Sequence, residues 1–148
     1  MVDLVHVHLV KVLFRLERDE RGWPPIDVEG MWAKRTAADE YTLHNIPFYA
    51  RGVASGDVVA TVEIDGNLYF RETLRQGGHG TIRVLLKSES QADGVIARIE
   101  SFRCGCESAE RLVAVDVPPK MRVSELLSFL EAERGASRLG YEVSCKSW

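Results

Sequence analysis

The segment Gly77-Gly78-His79-Gly80-Thr81 has the residue types best suited to chemistry in this sequence. Glycines beside a histidine allow unusual backbone angles and let a ligand approach the main chain closely. The amides of the segment could bind an anion, with the guanidinium of Arg83 as a charge-assisted partner. No Gly-Lys-Ser or Gly-Lys-Thr follows, so the segment does not match a phosphate-binding loop. Because glycine-rich segments are more often structural, we favour a turn between two strands.

A second histidine, His44, lies directly before Asn45-Ile46-Pro47. His44 and His79 could form an acid–base pair, as a metal-free ribonuclease needs, with Arg83 as the third candidate catalytic residue. Histidines this far apart in sequence do not define such a pair, and no further group is fixed by their spacing. We therefore favour a partly buried, hydrogen-bonded His44 and keep catalysis as the alternative.

The remaining histidine and cysteine spacings do not predict a metal site. His6 and His8 would share one strand face, but a zinc site needs three or four ligands. Cys104 and Cys106 lack the Cys-x-x-Cys spacing of metal and redox sites, and a disulfide between them would be strained. With Cys145 the cysteine count is odd. We expect reduced thiols, no metal and no cofactor.

Two tryptophans flank a proline-rich bend and are candidate interface residues. If exposed, Trp23 and Trp32 could anchor a protein partner, since tryptophan is enriched in interface hot spots. If buried, they would fill the junction between two lobes. The candidate binding residues are Trp23, Trp32, Gly78, His79 and Arg83.

The composition of the 148 residues is typical of a folded, water-soluble protein. The chain is 45% hydrophobic and 28% charged, with a formal net charge of −3, which excludes a generally basic nucleic-acid-binding coat. No apolar run approaches the roughly 20 residues of a membrane span. The N-terminus lacks the cationic start and long apolar stretch of a secretory signal. Together with the odd cysteine count, these features predict a bacterial-type cytoplasmic setting.

The first half of the chain is predicted to be mainly β. Alternating apolar residues and turn signals predict strands over residues 4–17, 29–36, 41–46, 58–64 and 68–70. In the fourth of these strands, Val58, Ala60, Val62 and Ile64 line one face. We expect residues 1–78 to form a bent sheet or small barrel. The aromatic residues expected to supply its core are Trp32, Phe48, Tyr49 and Phe70.

The second half, residues 79–148, is predicted as a β-α-β-α-β sandwich lobe packed against the first lobe as one compact unit. Strands are predicted over residues 81–87, 111–117 and 141–145. Ser90 and Asp93 have the spacing of a capping box before the first helix. The second helix presents an apolar stripe of Val123, Leu126, Leu127 and Leu130. The expected fold class is therefore α+β.

Several segments together resemble a bacterial family known as domain of unknown function 4265. The segments are Leu13-Phe14-Arg15-Leu16, Trp23-Pro24-Pro25, Glu29-Gly30-Met31-Trp32-Ala33, residues 41–50, residues 52–59 and residues 78–83. The resemblance spans about residues 4–145, and its most specific blocks are Asn45-Ile46-Pro47-Phe48 and Gly56-Asp57-Val58-Val59. Gly80 departs from it, because the family's glycine-histidine motif has serine there. The resemblance implies a shared fold and a cytoplasmic bacterial setting, and it implies no activity.

Two hypotheses for the function follow, from different classes. The first is a non-catalytic cytoplasmic protein-binding module, such as an immunity or antitoxin-like protein that neutralises a partner toxin. Small size, mild acidity and the lack of catalytic motifs motivate it, and the expected partner is another protein rather than a membrane or nucleic acid. The alternative is a small hydrolase or nucleic-acid-processing enzyme that uses His79, His44 and Arg83. Small-molecule sensing by the second lobe is a third possibility.

Overall fold

The computed structural model describes residues 8–148, and in this part of the chain two sheets and two α-helices form an α+β protein. The first sheet contains β1 (Leu9–Arg15), β2 (Val28–Ala37), β3 (Glu40–Leu43), β4 (Val58–Ile64) and β5 (Asn67–Arg75). The second lobe contains β6 (Gly80–Leu86), α1 (Ala92–Glu100), β7 (Gly105–Ala109), β8 (Leu112–Val117), α2 (Ser124–Gly135) and β9 (Leu139–Cys145). The expected α+β class is confirmed.

The first sheet bends until its two edges meet and forms a small barrel. Successive strands pair antiparallel from β1 to β5, and β1 then pairs in parallel with β5 where Val12 meets Leu68 and Leu13 meets Tyr69. The stacked rings of Phe14 and Phe70, with centroids 4.6 Å apart, lie in its core. Core side chains therefore come from both strands at the closure.

The apolar pattern of β4 has the opposite phase to the one that its sequence indicates. Val59 and Thr61 face the core, whereas Val62 is 44% exposed. Trp32, expected in the core, is also outside, because Met31 and Ala33 are its buried neighbours on β2. The strand alternation thus leaves large apolar side chains on the outer surface of the barrel.

The second sheet is antiparallel with strand order β7-β8-β6-β9. Its element order is β-α-β-β-α-β, the split arrangement of ferredoxin-like folds. This differs from the expected β-α-β-α-β because β7 was not predicted. Gly105-Cys106-Glu107-Ser108-Ala109 has no apolar alternation, and β7 is a largely exposed edge strand. The first helical segment also starts earlier than expected, because Ser88 and Gln91 form the capping box at a 3₁₀ turn before α1.

The second sheet lies between the helices and the barrel. On one face, Val113 and Val115 pack with Leu126 and Leu130 of α2 in a single core cluster. On the other face, the Thr81 hydroxyl donates to the carbonyl of Val53 in the barrel lobe at 3.1 Å. Among residues 8–148, neither helix has the length and hydropathy needed to cross a membrane.

Candidate functional site

His79 forms a bidentate contact with Asp116, a residue that the sequence analysis did not select. The imidazole Nδ1 lies 2.9 and 3.0 Å from the two carboxylate oxygens. Asp116 is on β8 and registers with Thr81, so the carboxylate lies on the face of the sheet that meets the barrel. Burial raises the pKa of Asp116, and the hydrogen bond from His79 partly opposes that rise. The pair joins the glycine segment to the second sheet.

The glycines before His79 are required by close packing around the segment that connects β5 to β6. A Cβ on Gly77 would lie 2.4 Å from the carbonyl oxygen of Gly56, which no side chain tolerates. Gly78 has a φ of +89°, a conformation that favours glycine, and lies against Pro119. The amide of Gly77 donates to Asp57 at 2.9 Å. One amide of this segment is thus bound to a carboxylate of the protein itself.

Arg83 is a buried cation at the junction of the two lobes. It is 4% exposed, and its Nη1 lies 3.3 Å from a carboxylate oxygen of Glu142. Its Nη2 donates to the carbonyl of Ala50, while its Nε has no hydrogen-bond partner. Arg51 also contacts Glu142, at 3.4 Å. Burial lowers the pKa of Arg83, and Glu142 opposes that effect.

Glu29 is a second buried charge at this junction, and sequence reasoning did not find it. Its carboxylate accepts hydrogen bonds from the backbone amides of Phe48, Tyr49 and Ala50, at 2.7, 3.0 and 2.7 Å. The Ala50 carbonyl in turn accepts from Arg83. This acceptor therefore holds the 48–50 segment at the position where the second sheet meets the barrel. A lone acidic residue that begins an apolar strand is the one sequence signal that could have indicated it.

His44 lies apart from these contacts. Its backbone amide donates to the carbonyl of Trp32 at 2.8 Å, but its side chain is exposed and makes no hydrogen bond within residues 8–148. The expectation of a partly buried, hydrogen-bonded imidazole is wrong here. His79 and Arg83 bind different carboxylates, and no hydrogen bond in the described chain joins any two of the three candidate catalytic residues.

Trp23 and Arg83, both selected from the sequence, line one cavity of about 230 Å³. The indole of Trp23 packs edge-on against Tyr49, with centroids 5.6 Å apart and planes at 65°. Leu85, Leu112 and Glu142 contribute to the lining as well. The cavity therefore has apolar walls and a charged pair at one side.

Trp32 belongs to a different surface, which we name the barrel patch. The patch comprises outward-facing residues of four barrel strands, namely Lys11, Leu13, Arg15, Trp32, Val62 and Tyr69. The Lys11 ammonium lies 4.8 Å from the centroid of the Trp32 ring, and the Arg15 guanidinium lies 4.6 Å from that of Tyr69. Both cations thus cover aromatic rings that remain at the protein surface.

The cysteines and histidines do not form a metal centre in the part of the chain that the structure describes. No three His, Cys, Asp or Glu residues there have a metal-binding arrangement, and His8 is exposed while His6 lies outside the described residues. Cys104, Cys106 and Cys145 are free thiols. Burial raises the pKa of Cys104 to about 11 and that of Cys106 to about 12. These thiols are protonated at neutral pH.

Comparison with known proteins gives a family and a fold. The sequence profile of a family described as Domain of unknown function (DUF4265) matches residues 29–140. The crystal structure of a hypothetical protein from Neisseria gonorrhoeae superimposes on this chain with a TM-score of 0.82, and the two sequences are 24% identical. That similarity covers 97% of this chain and 99% of the other, and it shows a shared fold. No curated protein matches the chain.

Proposed function

This chain belongs to the family described as Domain of unknown function (DUF4265), which confirms the resemblance seen in its sequence, and we propose that it is a non-catalytic protein-binding module. We place it in the bacterial cytoplasm, as an immunity or antitoxin-like protein that neutralises a partner toxin. The barrel patch is the observation that carries the proposal. The side chains and charges of that surface indicate the kind of partner that it binds.

The barrel patch combines exposed aromatic and aliphatic side chains of the kind that dominate interface energies. Trp32 is 45% exposed and Val62 is 44% exposed, although both lie on strands whose other face is buried. Tryptophan, tyrosine and arginine are the residue types most enriched in hot spots, and Trp32, Tyr69 and Arg15 supply one of each. Adjacent exposed apolar side chains such as these support a contact with another macromolecule.

The charge of the barrel patch favours a partner with an acidic surface. Lys11 and Arg15 are its charged members, and Lys34 lies beside it on β2, opposite Leu9. The chain as a whole carries a formal net charge of −3, so the local charge of the patch has the opposite sign to that of the protein. Complementary charges orient a partner and increase its rate of association.

Site-specific photocrosslinking tests this proposal. A photoreactive residue at position 32 is expected to capture one stoichiometric protein in the native host, whereas the same residue at position 143 is not. Val143 is the matched control because it is 40% exposed on β9, in the other lobe. Trp32→Ala and Tyr69→Ala are expected to weaken binding of the purified partner by at least about tenfold, as hot-spot truncations of about 2 kcal/mol do. Equal capture from both positions would contradict the proposal.

The immunity role has its own test. The captured partner is expected to arrest growth when it is expressed alone and to be harmless when it is expressed with this chain. Co-expression with Trp32→Ala is expected to restore the arrest. If the partner is harmless when it is expressed alone, the protein-binding proposal stands but the toxin-neutralising role is refuted.

The second candidate function is a small hydrolase or nucleic-acid-processing enzyme, and the His79–Asp116 pair is the observation that favours it. A carboxylate on Nδ1 orients an imidazole as in general-base catalysis, and His79 is partly exposed. His79→Ala is expected to abolish such an activity while the circular dichroism spectrum is unchanged. A folded His79→Ala variant that retains every cellular activity would remove this candidate.

A further inference from the structure

The second lobe contains another cavity, and its lining is strongly cationic. The cavity has a volume of about 470 Å³ and lies where the chain that leaves α1 meets the chain between β8 and α2. Arg103 comes from the first of these segments, and Lys120 and Arg122 come from the second. We name this cavity, lined by these three cations, the basic cavity. Its volume lies within the roughly 300–1,000 Å³ of small-molecule sites.

The charges of the basic cavity are not balanced by the protein. Glu125 is the one acidic residue among the lining residues, so three cations and one carboxylate leave two positive charges. Within residues 8–148 the three cations make no ion pair, whereas Arg134 and Arg138 of the same lobe each bind a glutamate. All three are exposed, so their charged ends can turn towards a ligand. Two positive charges in one concavity attract a dianion.

Two of the three cations occupy backbone positions that favour glycine. Arg103 has a φ of +66° and Lys120 has a φ of +64°, both in the left-handed region. A Cβ costs free energy in this conformation, so glycine would be the less strained residue at both positions. Residues held in such conformations occur often at ligand sites. A function for the charges of Arg103 and Lys120 accounts for a cation at both positions.

Apolar side chains complete the lining of the basic cavity. Phe102 and Met121 are both partly buried, and each is a direct neighbour in sequence of a cavity cation. Partly buried apolar side chains beside convergent charges are typical of sites for small organic ligands. The ligand is therefore expected to have an apolar group as well as its negative charges.

The number of positive charges defines the class of the anion. A phosphate monoester carries a charge of about −1.5 to −2 near pH 7, which balances the two positive charges, whereas a single carboxylate would balance one of them. Arginine also binds phosphate through paired hydrogen bonds. We propose that the basic cavity binds a small organic phosphate monoester, whose phosphate contacts Arg103, Lys120 and Arg122 and whose apolar group packs against Phe102 and Met121. This inference concerns the second lobe and is independent of the proposed protein-binding function.

NMR titration of the full chain with three probes tests the proposal. Phenyl phosphate is expected to give saturable shifts at the backbone amides of residues 101–103 and 120–125. Inorganic phosphate lacks the ring and benzoate has a single negative charge, and each is expected to bind at least about tenfold more weakly. No saturable shift with phenyl phosphate, or equal affinity for either of the other probes, would overturn the proposal. Tighter binding of a phosphotyrosine peptide would overturn the assignment to a small molecule.

Two glycine variants separate the charges from the fold. Arg103→Gly and Lys120→Gly each remove a cation and relieve a left-handed backbone position. Each is expected to weaken phenyl phosphate binding at least about tenfold without lowering Tm. Ser137→Gly is the matched control, because Ser137 has a φ of +59° in the same lobe and carries no charge, and it is expected to leave binding unchanged.

Arg111→Gln controls for the loss of one positive charge. Arg111 is exposed on the same lobe and lies outside the basic cavity, so this variant is expected to bind phenyl phosphate as the wild type does. An equal loss of binding in Arg111→Gln and Lys120→Gly would indicate a general attraction to positive charge and would refute the site. Unchanged binding in Lys120→Gly, or a lower Tm in both glycine variants, would refute it as well.

Discussion

At the scale of single residues, His79 of the glycine segment is held in place by the carboxylate of Asp116. Asp116 holds Nδ1 of His79 between its two oxygens, and its side chain is 16% exposed. Burial is the larger effect on this carboxyl, so its pKa is raised on folding in spite of the neighbouring imidazole. The pH dependence of stability therefore reports on this pair.

A carboxyl whose pKa is raised on folding contributes stability below its ordinary pKa of 3.8, and that contribution is lost as the pH rises through the raised pKa. We expect the free energy of unfolding of the wild type, relative to that of Asp116→Asn, to increase as the pH is lowered from 7 to about 4. Urea denaturation at several pH values measures it. Asp93→Asn, at an exposed helical position, is the control, and a difference that does not vary with pH would contradict the expectation.

The thiols provide a second prediction at this scale. The pKa of Cys104 rises from its ordinary value of 9.0 to about 11, so its thiolate fraction at pH 8 falls about a hundredfold. Iodoacetamide is expected to alkylate Cys104 and Cys106 in the native chain at least about a hundredfold more slowly than in urea. Peptide mass spectrometry over time measures both rates. Alkylation at similar rates in both states would indicate that these cysteines are reactive.

At the scale of elements, one carboxylate, that of Glu29, binds a whole backbone segment at the junction of the two lobes. Glu29 lies at the start of β2 and binds three consecutive amides of the chain that follows β3. Side-chain oxygens that satisfy amides in this way replace the backbone partners that an irregular segment lacks. Glu29 therefore holds the 48–50 segment, and the Ala50 carbonyl of that segment accepts from the Arg83 guanidinium.

Glu29→Gln replaces one carboxylate oxygen with an NH2 group, and this donor cannot bond to the backbone N–H groups of the 48–50 segment. At least one hydrogen bond to a charged acceptor is lost, and we expect the free energy of unfolding to fall by about 2–4 kcal/mol. Chemical denaturation measures this change. Glu63→Gln is the control because Glu63 is an exposed residue of the same barrel, and a similar loss in both variants would refute the role of Glu29.

The positions of strands and turns could be predicted from the sequence better than the buried face of each strand or the contacts between distant side chains. The hairpin at Asp65-Gly66 connects β4 to β5 as the alternation and the turn residues indicate. In β4, however, apolar residues occupy both faces, so period-two reasoning could not decide which face meets the core. The contact of His79 with Asp116 joins residues 37 positions apart, and only the pairing of β6 with β8 brings them together.

At the scale of the whole molecule, the two lobes meet backbone to backbone. The amide of Gly52 in the barrel lobe donates to the carbonyl of Ser144 on β9 at 3.2 Å. The segment that connects β5 to β6 passes so close to Gly56 that Gly77 has no room for a side chain. The path of the chain from the barrel towards β6 is therefore fixed in part by a position that must be glycine.

Gly77→Ala is expected to destabilise the chain by at least about 1–3 kcal/mol, because the added methyl group overlaps the Gly56 carbonyl. Gly94→Ala is the matched control. Gly94 lies within α1 with open space around it, so alanine there is expected to stabilise the chain by about 0.5–1 kcal/mol. Thermal unfolding of both variants measures the two effects. Equal stability of the two variants would show that the Gly77 segment can move away from Gly56 without cost.

The closure of the barrel has a mechanical consequence. In residues 8–148, β1 and β5 pair through two register positions alone, Val12 with Leu68 and Leu13 with Tyr69, so we expect this edge of the barrel to open by local unfolding. Leu13 and Tyr69 are also adjacent members of the barrel patch. A protein bound to the patch would span that edge and hold it closed, and it would slow the exchange of amide hydrogens with deuterium along β1 and β5.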